Sequence, residues 1–210
     1  MERSKVKVTP YNDVEVKVDH TIFEDVERYA RQKMPRNPYT RTMSQIIKKY
    51  KVKTALDMGC GLGVDTVNML KLGIDVIAID GSEKIIPSLL FDKSKFMAID
   101  IRNNIKVKGG VDMIWCREVA EHLNFKYSDT LVRNIVRNCK VVYFTAATPG
   151  QIGSGHINCQ WHGFWIALFK KYDWKIDTQL VDFNMENHPS GIDRKNGLIF
   201  SGDMQPAIRM

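Results

Sequence analysis

The chain has 210 residues, 44% hydrophobic and 26% charged, with a formal net charge of +7. That length fits one domain with its own core, and the composition is that of an ordinary soluble protein. No apolar run approaches the roughly 20 residues needed to cross a bilayer, so no membrane partner is expected. The polar start Met-Glu-Arg-Ser-Lys-Val-Lys argues against a secretory signal. The four cysteines, Cys60, Cys116, Cys139 and Cys159, form no C-x-x-C pair and suit neither a zinc site nor a disulfide scaffold. Free thiols in a reducing compartment, the cytoplasm, are expected.

In chain order, residues 1–18 alternate polar and apolar and predict a short strand or extended arm. Residues 21–33 carry Ile22, Val26, Tyr29 and Ala30 at helical spacing, with acids early and bases late. Pro35 and Pro38 end that helix, and a second helix is predicted from about 40 to 50. Residues 1–53 hold 13 basic and 7 acidic side chains, and no acid interrupts the stretch from Arg28 to Lys53. Such a one-sign field attracts anions; it also describes two solvated helix faces, and charge alone does not choose.

From residue 54 apolar strands alternate with helices. Strands are predicted at 54–58, 76–80, 96–101, 111–116 and 140–146, with later ones at 175–183 and 198–201. Helices are predicted at 64–71, 83–90, 127–138 and 162–172, and a mobile loop at 184–196. The pattern predicts a doubly wound α/β fold with a mainly parallel sheet covered on both faces. Residues 1–53 would form an arm and basic helices capping the domain of residues 54–210.

The chemistry concentrates at Leu56-Asp57-Met58-Gly59-Cys60-Gly61-Leu62-Gly63. A buried strand runs into three alternate glycines and then a helix. Glycine permits the turn and clears space for a ligand, and the helix N–H groups point at whatever binds there. The dinucleotide fingerprint G-x-G-x-x-G puts its third glycine where this chain has Val64. Asp57 beside the turn suits a cationic amino acid moiety better than a pyrophosphate, which favours S-adenosylmethionine over NAD. Asp80 ends the second strand, 17 residues after Gly63, where a carboxylate accepts from ribose hydroxyls. Asp100 ends the third strand, placed to accept from an adenine amino group. Each acid alone is equally a solvent-facing strand end; three at consecutive strand ends make a ligand site.

With Leu56–Gly63, Val76-Ile77-Ala78-Ile79-Asp80, Met97-Ala98-Ile99-Asp100-Ile101 and the segment from Val111 to Leu123, the chain resembles the class I S-adenosylmethionine-dependent methyltransferases, in their small-molecule branch. The resemblance covers about residues 40–200. It implies a seven-stranded sheet with its last strand antiparallel and S-adenosylmethionine as cofactor. It places the methionine end at Asp57, Gly59, Cys60, Gly61 and Gly63, the ribose at Asp80 and Gly81, and the adenine at Asp100 and Ile101. Cys116, Arg117 and the following residues to His122 would pass near the sulfonium and the acceptor. Glu118-Val119-Ala120-Glu121-His122 matches a pattern of that branch, and the Asn-Pro-Pro-Tyr tetrapeptide of DNA amino methyltransferases is missing.

Methyl transfer to a hydroxyl needs alignment and removal of a proton. The candidates are His156, in the polar loop after the fifth strand, then His122, with Glu118 lining the acceptor pocket and His162 supplementing either. Arg117 and Glu118 have an equal alternative as loop anchors through ion pairs. Trp161, Phe164 and Trp165 are candidate pocket walls, although Trp165 also has core spacing. His20 and His188 lack context. No metal site is expected, because no histidine pair has ligand spacing along the chain. The expected reaction is methylation of a hydroxyl, or failing that an amine, on a small-molecule or sugar acceptor that is anionic. The alternatives are an RNA methyltransferase using the basic segment and its tyrosines, a non-catalytic subunit, and, as an error of fold, an oxidoreductase.

Overall fold

The computed structural model describes residues 39–187 and 195–205, together with the backbone of residues 8–10. The helix expected at 21–33, the first part of the basic stretch (residues 28–38), His20 and His188 lie outside the described residues.

In chain order the elements are β1 (Val8–Pro10), α1 (Thr40–Tyr50), β2 (Thr54–Met58), α2 (Val64–Lys71), β3 (Asp75–Asp80), β4 (Phe96–Ala98), β5 (Ile105–Val107), β6 (Met113–Arg117), α3 (Ser128–Val136), β7 (Val141–Thr145), α4 (His162–Lys170), β8 (Lys175–Ile176), α5 (Thr178–Asn187) and β9 (Leu198–Ser201). Seven strands form one sheet in the order β4-β3-β2-β6-β7-β9-β8. β2, β3, β4, β6 and β7 run parallel, and β9 lies antiparallel to both β7 and β8. The resemblance implied this arrangement. The order reverses between β2 and β6, and at such a switch point the loops leaving the two strands part and leave a crevice.

Period-two alternation sorts the strand side chains into two cores. Ala55, Val76, Met113, Trp115, Val141, Tyr143 and Ile199 face one way and pack with Met43 and Ile46 of α1, Met69 of α2 and Leu180 of α5. Leu56, Met58, Ile114, Cys116, Val142, Phe144 and Phe200 face the other way, toward Leu131 and Ile135 of α3 and Trp165 and Phe169 of α4. Trp115 and Tyr143 stack at 4.0 Å, and Tyr39 meets both rings edge-on at about 6 Å.

Three expectations change. The segment 83–90 is a 3-10 helix at Glu83–Ser88, because Pro87 has no N–H to continue an α-helical ladder. The segment 175–183 is a strand for only two residues. There Asp177 caps a helix instead: its carboxylate accepts from Leu180 N at 3.2 Å and its carbonyl from Val181 N at 3.0 Å. The expected loop at 184–196 begins inside that helix. Asn184 is fully buried and accepts from the Thr42 hydroxyl at 2.8 Å, and Asn196 donates to Gln151 at 2.8 Å.

One element was not foreseen. β5 pairs antiparallel with β1 outside the main sheet, and α3 holds it through two asparagines. Asn134 Oδ1 accepts from Ile105 N, Asn138 Oδ1 from Val107 N, and Asn138 Nδ2 donates to Ile105 O, all within 2.9 Å. Buried backbone groups need such partners, and here side chains supply them.

Candidate functional site

The turn after β2 closes because Gly59, Gly61 and Gly63 have φ of 77°, 51° and 85°. Gly59 has a second constraint, since a Cβ there would lie 2.5 Å from Val119 Cγ2; at Gly63 it would collide with the Phe91 ring. A Cβ on Gly61 would meet nothing within 4 Å, so this glycine leaves the turn an unobstructed face. Gly59 N and Cys60 N donate to Ile79 O at 2.8 and 3.0 Å and tie the turn to β3.

At the end of β3, Asp80 is 5% exposed. Its Oδ2 accepts from Gly61 N at 3.1 Å and its Oδ1 from Ser82 N at 3.0 Å. Burial raises its pKa, and the backbone N–H groups of Ser82, Gly61 and Gly81 oppose the rise. Each oxygen accepts one backbone N–H and keeps a further lone pair for a ligand.

Asp80 opens onto a cleft of about 250 Å³. Of the residues named from sequence, Gly59, Gly81, Asp100, Ile101, Glu118 and His122 also line it. Val119, within the Cys116–His122 segment, joins them, as do Arg102, Leu123, Asn124, Tyr127 and Ile157, which were not foreseen. The signal for Arg102 was its position after Asp100. Both oxygens of Asp100 are held by the Arg102 guanidinium, at 2.9 Å from Nε and 2.8 Å from Nη2, and the same guanidinium lies 5.8 Å from the Tyr127 ring centre.

Several expected residues lie elsewhere. Asp57 shares the strand face of Ala55 and turns toward α2, where Thr66 donates to it at 2.5 Å. Burial, then the Asp65 charge, raises its pKa, against Thr66 and Arg117. Cys116 is fully buried in the opposite core, and burial drives its pKa up. Burial does the same at Cys60, so neither thiol is primed as a nucleophile. Arg117 takes the anchoring role: it meets Asp65 at 2.6 Å and lies 4.7 Å from the Tyr39 ring centre. Trp165 packs in the core on Phe144, Phe164 is half-buried, and Trp161 is exposed. His162 begins α4 with Nε2 buried and unpartnered among the described residues, and burial lowers its pKa.

The far end of the cleft holds a cluster. Glu118 follows β6 with φ of 53°, a conformation that costs a residue with a Cβ about 1–3 kcal/mol. It is held by N–H bonds to Thr145 O and Oγ1 at 3.1 and 2.9 Å. Glu121 is 0% exposed; its Oε1 accepts from Ala147 N at 3.1 Å. His122 lines the cleft, and the His156 ring packs on it with centroids 5.1 Å apart. Burial, and next the charge of His156, lowers the His122 pKa. Burial raises that of Glu121, reinforced by the Glu118 carboxylate. No chain spacing reveals this histidine pair. The loop after β7 folds back through Ile157 N and Asn158 N, which both bond Glu121 O.

Residues 56–141 match the family described as "Methyltransferase domain". A ubiquinone biosynthesis O-methyltransferase from Pelagibacter ubique is 31% identical over 102 residues, 46% of this chain and 41% of that one, so the match spans less than half of this curated relative. A SAM-dependent methyltransferase from Archaeoglobus fulgidus superimposes with a TM-score of 0.58 at 14% identity, over 84% of this chain and 98% of that chain. Magnesium protoporphyrin IX methyltransferase from Synechocystis PCC 6803, solved with bound SAM, gives 0.58 at 13% identity over 86% and 91%. At these identities the structural likeness concerns the fold. With the glycine turn and the strand-end acids, these likenesses agree with the class I S-adenosylmethionine-dependent methyltransferases that the sequence resembles, and with S-adenosylmethionine as the cofactor.

The residues present fit that cofactor. The Asp80 carboxylate keeps free lone pairs at the strand end, Gly61 leaves room beside it, and Val119, Leu123 and Ile101 supply apolar walls for a base. Among the described residues no helix is long and apolar enough to cross a membrane.

Proposed function

We propose that the protein transfers a methyl group to a hydroxyl of a small molecule, with the acceptor at the Glu118–His122 end of the cleft. The observation that carries this reading is one continuous cleft with Asp80 and Gly59 at one part of its wall and Glu118 and His122 at another. When bound, S-adenosylmethionine supplies a methyl group already activated on a sulfonium, so the protein's task is position and charge. Asp80 accepts from the ribose hydroxyls. Gly59, Gly61 and Gly63 let the backbone approach the amino acid end, and Asp57 holds the turn in shape through Thr66. Ile101, Leu123 and Tyr127 wall the adenine, and Asp100 accepts from its amino group while pinned by Arg102.

The acceptor oxygen lies beside His122 and Glu118, and its proton is lost at the end of the cleft where His122 and His156 meet. His122 faces the cleft and His156 stands behind it, which reverses the order of the two candidates named from sequence. Ile157 is 64% exposed and lines the cleft, and Phe125, exposed beside Asn124, adds a second apolar surface. These favour an acceptor with an apolar body. The relative that methylates oxygen in ubiquinone biosynthesis is in keeping with a hydroxyl target. Arg41, Lys48, Lys49, Lys51 and Lys53 carry the charge argument for an anionic acceptor and for RNA among the described residues, and none of them lines the cleft.

The test is calorimetry with S-adenosylhomocysteine, followed by a screen of small phenols, sugars and RNA with labelled S-adenosylmethionine. Binding of the product with turnover on a small hydroxyl compound supports the reading. Product binding with methyl transfer only to RNA refutes the acceptor, and absence of binding refutes the site.

A further inference from the structure

The cluster behind the acceptor end has the donor set of a metal site. One donor atom each from Glu121, His122 and His156 lies within 4.8 Å of the others. Tetrahedral donors about 2.1 Å from an ion stand about 3.4 Å apart, so side-chain shifts of roughly an ångström complete the geometry. Both rings are oriented from behind. His122 Nδ1 bonds Gly155 O and His156 Nδ1 bonds Gln151 O, each at 3.1 Å. A carbonyl only accepts, so each Nδ1 carries the proton and each Nε2 keeps its lone pair. That is the outer bonding that fixes metal-ligating histidines.

The carboxylates add an independent observation. Glu121 Oε2 and Glu118 Oε1 are buried and meet no N–H or hydroxyl donor among the described residues; the two carboxyl groups face each other. Glu121 is wholly buried; beside Glu118 the pair either shares a proton or, with both groups ionised, needs a cation. The other oxygen of Glu121 is already held by Ala147 N, which leaves Oε2 as the open position.

We propose that Glu121, His122 and His156 bind one divalent transition-metal ion beside the acceptor end of the cleft. Two imidazoles and one carboxylate suit Mn²⁺, Fe²⁺, Co²⁺ or Zn²⁺ better than Mg²⁺ or Ca²⁺. The inference rests on the reading of the cleft given above and deepens it. An acceptor hydroxyl bound to the ion loses its proton to water more readily. The oxygen keeps that electron pair and forms the new O–CH₃ bond, while the S–CH₃ bond breaks with its pair left on sulfur. The histidines then act through the ion and not as proton acceptors.

The experiment is calorimetric titration of tag-free, chelator-stripped full-length protein with Mn²⁺, Co²⁺ and Zn²⁺, with Co²⁺ absorption recorded in parallel. One equivalent of saturable binding is expected, weakened at least about 10-fold by His156→Ala and by Glu121→Gln. Gly153→Ala gives a further arm that removes no donor. The His156 ring lies on Gly153, so a methyl group there displaces the ring, and roughly 10-fold weaker binding is expected. Cys159→Ser should leave binding unchanged. Failure of all three ions to bind, or binding that survives His156→Ala and Gly153→Ala, overturns the proposal, as does binding lost only with Cys159→Ser. Titration of the same samples with S-adenosylhomocysteine reads the cofactor site separately. Metal binding without product binding would spare this site and sink the reading of the cleft, and the reverse result would do the opposite.

Discussion

Replacing Asp80 by asparagine tests the cofactor site at its most constrained atom pair. The carboxylate accepts Gly61 N and Ser82 N at 3.1 and 3.0 Å and retains lone pairs for two ribose hydroxyls. Hydrogen bonds to a charged acceptor contribute about 1.5–3 kcal/mol each. An amide keeps one acceptor oxygen and presents an NH₂ group where the other was. Losing one such bond and weakening the other costs about 3 kcal/mol of binding, roughly a 100-fold rise in Kd. The fold loses less. One backbone N–H goes without its acceptor, at about 1–3 kcal/mol, while the buried charge, itself costly, disappears. The expected fall in Tm is roughly 2–10 °C at about 2–4 °C per kcal/mol. Calorimetry with S-adenosylhomocysteine reads the first quantity and a thermal melt the second. If Asp80→Asn melts cooperatively and binds the product within about threefold of wild type, Asp80 does not hold the ribose.

Two glycine substitutions should separate by mechanism. Gly63→Ala meets both a φ of 85° and the Phe91 ring, so it should lower Tm clearly; Gly61→Ala has open space and should cost only about 1 kcal/mol of stability while still weakening product binding. Asn138→Ala removes partners of Val107 N, Ile105 O and Asn134 O, and urea unfolding should show a loss of about 2–4 kcal/mol. At Asp112 burial raises the carboxyl pKa, but the N–H groups of Lys53 and Thr54, the Thr54 hydroxyl and the charge of Lys140 outweigh it and hold it below its ordinary value. A group lowered on folding stabilises above its unfolded pKa near 3.9, and that contribution is lost as pH falls through the folded value. Asp112→Asn should therefore flatten the acid limb of stability, and an unchanged limb in urea melts from pH 6 to 3 would refute it.

The glycine turn and its strands were legible because they are local. A buried run of Thr54–Met58, three glycines and a helix start need only neighbours in the chain to declare themselves, and the boundaries of β2, α2, α1 and β9 agree with the pattern. Asp80 and Asp100 were legible for the same reason: a strand's end in a parallel sheet points to the ligand side. The side on which Asp57 turns was less so. A carboxylate next to the turn looked like a ligand group, and period-two alternation instead sent it to Thr66.

By itself, then, the sequence determined the strand–turn–helix unit, the acids at the strand ends and so the expectation of S-adenosylmethionine, because hydrophobic period and glycine act over a few residues. Only the tertiary structure decided which groups meet. Tight packing of the loops after β6 and β7 brought His156 against His122 and left Glu121 buried beside them. It also carried Arg117 to Asp65 and Cys116 into the core. Contacts between distant segments depend on how two loops close over the same sheet edge, and no spacing along the chain encodes that distance.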